Sequence, residues 1–273
     1  MAALEKLRLV LEVNLELAVA TACRFFIMSR GGLTRLLVWP LIAAEMAYIQ
    51  LMADRYEKRL FSPTLTRSLI SNALGVAVIE GLGLALATHG PVLTSGFGLL
   101  PIVDAAVVFD GAAARATIWR VPLFELGVDL AFYTFHRCCH SIPWLYAAVH
   151  KKHHAETAKA HGRLVAYETY TLTWLETLTF LGNYLLGFLL LRLIGPVGIG
   201  EAALLVSYCH TVELSGHTAL TWTPPTPWRV LPYLLGIELN PADHTLHHDR
   251  MNKNYSKRFK LWDQLGQTYA SPK

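Results

Sequence analysis

Long apolar runs separated by short charged links set the pattern of this chain. Four windows, 36–53, 68–89, 91–109 and 174–214, carry few charges and approach or exceed the length of about 20 apolar residues that a bilayer core requires. The last is too long for one crossing, and Gly195, Pro196, Gly198 and Gly200 interrupt it near its middle, so it predicts a helical hairpin. Over 4–27, Glu5, Glu12 and Glu16 punctuate apolar residues at intervals that predict an amphipathic helix rather than a clean span. The run 121–135 is shorter and carries Glu125 and Asp129, which predicts a buried or interfacial start to a helix. Pro224, Pro225, Pro227 and Pro232 then form a stiff connector to a polar tail, expected as a cap rather than a span. Strand signals are weak, and no repeat or polar linker divides the chain. The expectation is one all-α, membrane-embedded domain over 1–273, with N-terminal membrane helices in 1–119 and the chemistry in 120–273.

Composition supports the membrane reading. Of 273 residues, 53% are hydrophobic and only 16% charged, on the apolar side of ordinary soluble domains. A formal net charge of +4, with no basic run interleaved with aromatics, argues against nucleic acid as a partner. Basic residues mark sidedness instead: Arg55, Lys58, Arg59 and Arg67 in one link, and Lys151, Lys152, Lys159 and Arg163 in another, are expected to face the cytoplasm. The four cysteines show no disulfide or zinc-ribbon spacing, and no cleaved signal peptide is expected at the N-terminus.

Histidine changes the picture from a membrane protein to a membrane metalloprotein. Eight of the 12 histidines fall into three groups: His136 and His140; His150, His153 and His154; His244, His247 and His248. Residues three or four apart share a helix face, so each group directs its imidazoles together. An HxxHH pattern is expected by chance in about 0.02 copies per chain at this histidine frequency, and two are present. Imidazole suits zinc, copper, iron and nickel, and one tetrahedral ion takes no more than four ligands, so eight imply two ions. Two such ions in a lipid-facing helical protein point first to redox chemistry on dioxygen. A zinc-dependent membrane hydrolase and, behind it, a metal transporter are the rival readings. His210 and His217, seven apart, are expected on one helix face with Glu213 between them. Asp129, Asp243, Asp249 and Glu156 are further candidate acids for orienting ligand imidazoles.

The stretches YTFHRCCH, PWLY and HKKHH within 129–154, SGHT around His217, and the tail DHTLHHDRMNKNYSKRFKLWDQLGQT resemble the fatty acid hydroxylase and sterol desaturase superfamily over roughly residues 120 to 270. The resemblance implies a bundle of about four membrane helices with a cytosolic histidine-rich cap holding two non-haem iron ions, for which zinc can substitute on purification. It implies as ligands His136, His140, His150, His153, His154, His217, His244, His247 and His248, with His210 a further candidate as ligand or as a partner of one. The implied activity is dioxygen-dependent hydroxylation or desaturation of a sterol, sphingolipid or fatty-acyl lipid. Electrons are expected from NAD(P)H through a separate carrier, such as a b-type cytochrome or a ferredoxin with its reductase. The expected location is the endoplasmic reticulum membrane in a eukaryote or the inner membrane in a bacterium, with the histidines cytoplasmic.

Overall fold

The computed structural model describes residues 3–30, 32–56, 65–89, 103–104, 107–157, 164–218, 220 and 222–272, and they are built from helices without strands. In chain order these are α1 (Ala3–Arg30), α2 (Val38–Tyr56), α3 (Leu65–His89), α4 (Gly111–Ser141), α5 (Pro143–Leu145), α6 (Lys151–Thr157), α7 (Trp174–Ile194), α8 (Ile199–Gly216), α9 (Val230–Leu234), α10 (Pro241–Arg250) and α11 (Leu261–Leu265). A π-turn, Tyr146–His150, joins α5 to α6.

The long helices have chemical starts and stops. Asp110 caps α4 by accepting from the amides of Ala112 (2.9 Å) and Ala113 (2.8 Å). Thr173 caps α7 through the amide of Glu176. Gly195 ends α7 at φ +156°, a backbone that side-chain-bearing residues rarely adopt, and the chain turns back into α8, as the hairpin reading expects. Residues 34–56 and Trp174–Ile194 are long and apolar enough to cross a membrane. The window 91–109 is mostly outside the described residues. Its described pieces are not helical: the Asp104 amide donates to Val197 O at 2.9 Å, beside the α7–α8 turn.

Packing is closest where side chains are absent. α4 lies along α7 with Gly127 against Gly187, and a methyl group added at Gly187 would stand 2.8 Å from Phe124 O and its ring. α1 lies along α8. Outward, α1 shows Leu4, Leu7, Leu11, Leu15 and Val19, while Glu16 and Arg24 are buried inward. The inner face of α1 is therefore mixed: Leu9, Val13, Leu17 and Ile27 are buried beside Glu16 and Arg24, while Glu5 stays exposed. At the end of the bundle where α4 finishes and α7 begins, α6, α10 and the tail close over it.

Candidate metal centre

Nine imidazoles converge in two groups. His136, His140, His150, His154 and His247 form one, and His153, His217, His244 and His248 the other, with the ligand atoms of each group within 4.8 Å of one another. In the first, Nε2 of His136 is 2.8 Å from that of His150, and Nε2 of His154 is 3.0, 3.2 and 3.2 Å from those of His150, His140 and His247. In the second, Nε2 of His217 is 3.3 Å from His153 and 3.0 Å from His244, which is 3.2 Å from His248.

The two HxxHH stretches interleave. Positions four apart share a direction, so His150 and His154 enter the first group, and His244 and His248 the second. The middle histidine of each stretch is rotated away and crosses over, His153 to the second group and His247 to the first. Each short helix thereby serves both groups, which fixes them side by side. A π-turn immediately before α6 sets the phase of His150.

Hydrogen bonds at the opposite ring nitrogen fix the tautomer. Nδ1–H of His136 donates to Tyr255 O (2.7 Å), of His247 to Lys253 O (2.7 Å), of His217 to Glu213 O (3.1 Å), and of His150 to the Glu176 carboxylate (2.5 Å). Nε2 in these rings is consequently a bare lone pair facing other ring nitrogens, an arrangement that repels itself unless a cation lies between them. With metal–imidazole bonds of about 2.1 Å, neighbouring ligand nitrogens stand about 3.0 Å apart at 90° and about 3.4 Å apart at a tetrahedral angle. The observed separations fall in or close to that range, so the donor set fits two borderline metal ions.

The electrostatics suit cations. Burial first, then the neighbouring imidazoles, hold His153, His154, His244 and His248 below the usual histidine range, and burial pushes His247 down to about 3. The rings are therefore neutral ligands at physiological pH. A buried ion cluster flanks them: Arg258 donates to Glu213 Oε1 (2.7 Å), Lys257 pairs with the same carboxylate, and Arg258 Nε is 3.2 Å from Glu125 Oε1.

The acids expected to orient ligands act less directly. Asp129 accepts from the amides of Lys257 (2.7 Å), Arg258 (2.9 Å) and Phe259 (3.0 Å), pinning the tail that presents the Tyr255 carbonyl. Asp243 completes a capping box with Asn240 at the start of α10, and Glu213 serves His217 through its carbonyl. Asp249 is exposed. His210 lies apart from both groups, with Nδ1 3.1 Å from the Tyr170 hydroxyl and Nε2 3.4 Å from Glu80. α8 ends at Gly216, so His217 leaves the helical register and the seven-residue spacing to His210 does not align them. His161 and the Glu156 side chain lie outside the described residues. In the basic tail, Lys257 and Arg258 point inward, leaving Arg250, Lys253 and Lys260 nearer the surface. Glu176, the partner of His150, escaped the sequence reasoning. Its signal was an acid in the first turn of an otherwise apolar span.

The family model described as "Fatty acid hydroxylase" matches residues 121–268, the stretch that contributes every histidine of both groups. Among curated relatives, a fatty acid hydroxylase, vlmA, of Lecanicillium sp is 30% identical over 55% of this chain and 41% of its own length. A cholesterol 25-hydroxylase-like protein of Danio rerio is 26% identical over 54% of each chain. A Delta(7)-sterol 5(6)-desaturase of Candida dubliniensis is 26% identical over 58% of this chain and 36% of its own. The chain thus spans about half or less of the length of these relatives. No solved structure matches it.

Proposed function

Because the chain belongs to the fatty acid hydroxylase family, we propose that it is a membrane oxidoreductase that binds two iron ions through its nine clustered histidines and uses dioxygen to hydroxylate or desaturate a lipid. The observation that carries this reading is the pair of all-imidazole groups whose bare Nε2 atoms face one another at 2.8–3.3 Å. His136, His140, His150, His154 and His247 would hold one ion, and His153, His217, His244 and His248 the other. Bound iron supplies the redox chemistry that couples dioxygen to the breaking of an unactivated C–H bond.

The protein's own contribution is position and exclusion. Tyr255, Lys253 and Glu213 carbonyls and the Glu176 carboxylate hold the rings in one tautomer, so the site is ordered before metal arrives. Burial of the histidines keeps water from competing. Leu178, Leu185, Leu189 and Leu193 on the outer face of α7 offer an apolar approach for a lipid that stays in the bilayer. The histidines would face the cytoplasm, as the basic links suggest, and meet a separate carrier delivering electrons from NAD(P)H. Nine imidazoles in two adjacent groups favour this reading over a zinc hydrolase, whose catalytic ion takes three protein ligands and a water.

The test is expression of the full chain, metal analysis and comparative lipid mass spectrometry under ¹⁸O-labelled dioxygen, with His153→Ala and His247→Ala as controls. Labelled hydroxyl or a new double bond, absent with both variants, is expected. The same product from the variants, or activity without iron and dioxygen, overturns the proposal.

A further inference from the structure

A small cavity lies between α4, α7, α8 and the tail, on the bundle side of the histidine groups. Phe132, Phe180 and Tyr184 form much of its wall, and the ring of Phe132 continues to the ring of His136, 4.8 Å away centroid to centroid. Asn183 also lines it. This side chain is 5% exposed, sits in an apolar span and makes no hydrogen bond among the described residues. A buried amide without partners costs on the order of 1–3 kcal/mol, so this one calls for a polar partner within the cavity. Across the cavity, Arg258 Nη1 is buried without an acceptor.

The chemistry of what fits is narrow. Charges around the cavity are matched: Glu213 is paired with Lys257 and Arg258, Glu125 lies beside Arg258, and Asp129 is saturated by three backbone amides. No net positive charge is left for a carboxylate or phosphate. The free space at its centre is about that of one water molecule, which admits a single oxygen and excludes a polyatomic headgroup such as a phosphoester or a sugar. Asn183 is seven residues from Glu176, so the amide sits about 10 Å along the helix from the level of the metal groups.

Resting on the oxygenase reading above, we propose that Asn183, together with Arg258 Nη1, anchors one uncharged oxygen of the lipid substrate, a hydroxyl or carbonyl, and thereby sets which carbon reaches the metal centre. Asn183 is a specificity residue here. It offers both a donor and an acceptor, and Arg258 a second donor, so a hydroxyl is held from both sides and a carbonyl receives two hydrogen bonds.

The test is equilibrium binding of tritiated probes to the purified, metal-loaded full chain in detergent, without turnover. Two matched pairs are compared: 1-octadecanol with octadecane, and cholesterol with its 3-deoxy analogue. In at least one pair the oxygen-bearing member should bind about tenfold more tightly to the wild type. Asn183→Leu should bind both members alike, with affinity for the apolar member and iron content unchanged and a melting temperature no lower than that of the wild type. Asn183→Ala serves the same purpose should the leucine variant not accumulate. Equal binding within both pairs by the wild type, or a variant that weakens both members equally, overturns the anchor. Iron-free active protein would instead end the oxygenase reading while leaving the binding preference in place, so the two failures are separable.

Discussion

His153 and His154 are neighbours in sequence, yet one imidazole joins the four-histidine group and the other the five-histidine group. If each group holds one ion as proposed, His153→Ala should lower bound metal from two ions to about one per chain, because four ligands become three in one group while the other stays whole. His210→Ala should leave two. Metal counting on purified variants by mass spectrometry checks both, and a loss of metal with His210→Ala would contradict the placement of that ring against Tyr170 and Glu80. The grouping of histidines was legible because helical spacing repeats in the sequence. The fate of His210 was not: periodicity holds only while the helix continues, and α8 stops one residue before His217. Glu176 was hidden for a different reason, since its partner His150 is 26 positions away and only the fold brings them together. Glu176→Ala should weaken metal binding by about 10–100-fold, with Glu176→Gln partly restoring it because an amide oxygen still accepts from Nδ1. Competition with a calibrated chelator gives the measurement.

The segment Lys253–Phe259 carries no ligand, yet it supplies the carbonyls that aim His136 and His247. Its shape is imposed by buried polar side chains. Asp263 accepts from the amides of Tyr255 and Ser256, both at 2.8 Å, and from Thr268. Asn254, at φ +55°, bonds Asp243 O and Ala270 O. The tail's N-x-N-Y and W-D elements were legible as a resemblance, whereas their role needed the coordinates. Asp263→Ala removes a buried acceptor of three hydrogen bonds, and should cost about 3 kcal/mol and lower metal affinity together, as measured by thermal unfolding and chelator competition. The short helices α6 and α10 impose a pH dependence on the metal-free protein. Their histidines titrate lower in the folded chain than in the unfolded one, where the ordinary value is near 6.5, so the unfolded chain binds more protons between the two. Stability is full above that value and falls as pH drops through it toward about 3, where His247 protonates. The slope approaches about 1.4 kcal/mol per pH unit for each such histidine. Chelator-stripped protein should melt at a lower temperature at pH 5 than at pH 7.5, and an unchanged melting point would refute neutral, buried imidazoles.

Across the whole molecule, the helical hairpin and the apolar helices α2 and α7 were legible because hydrophobicity is local, whereas the run 91–109 is not helical where it is described. The inward turn of Glu16 and Arg24 on α1 was not legible, because these side chains are satisfied by residues far along the chain. Arg24 is fully buried and donates from Nη1 and Nη2 to the two oxygens of Glu45 on α2 at 2.6 and 2.7 Å, from Nε to Glu80 on α3 at 3.0 Å, and from Nη1 to Ser207 on α8 at 3.2 Å. One guanidinium thus ties four helices together, and through Glu80 it reaches His210. Such a cluster specifies which helices pack, yet its net contribution to stability is small, since desolvation offsets much of the attraction. Removing one partner is different. Arg24→Ala leaves two carboxylates buried without their cation and should cost about 3–5 kcal/mol. Replacing Arg24 and Glu45 together with methionine removes the charges as a pair, with Glu80→Gln neutralising the remaining acid. That triple variant should recover most of the loss. Thermal unfolding in detergent, compared across the single and triple variants, decides it: equal destabilisation by both would mean that volume, rather than uncompensated charge, governs the junction of α1, α2, α3 and α8.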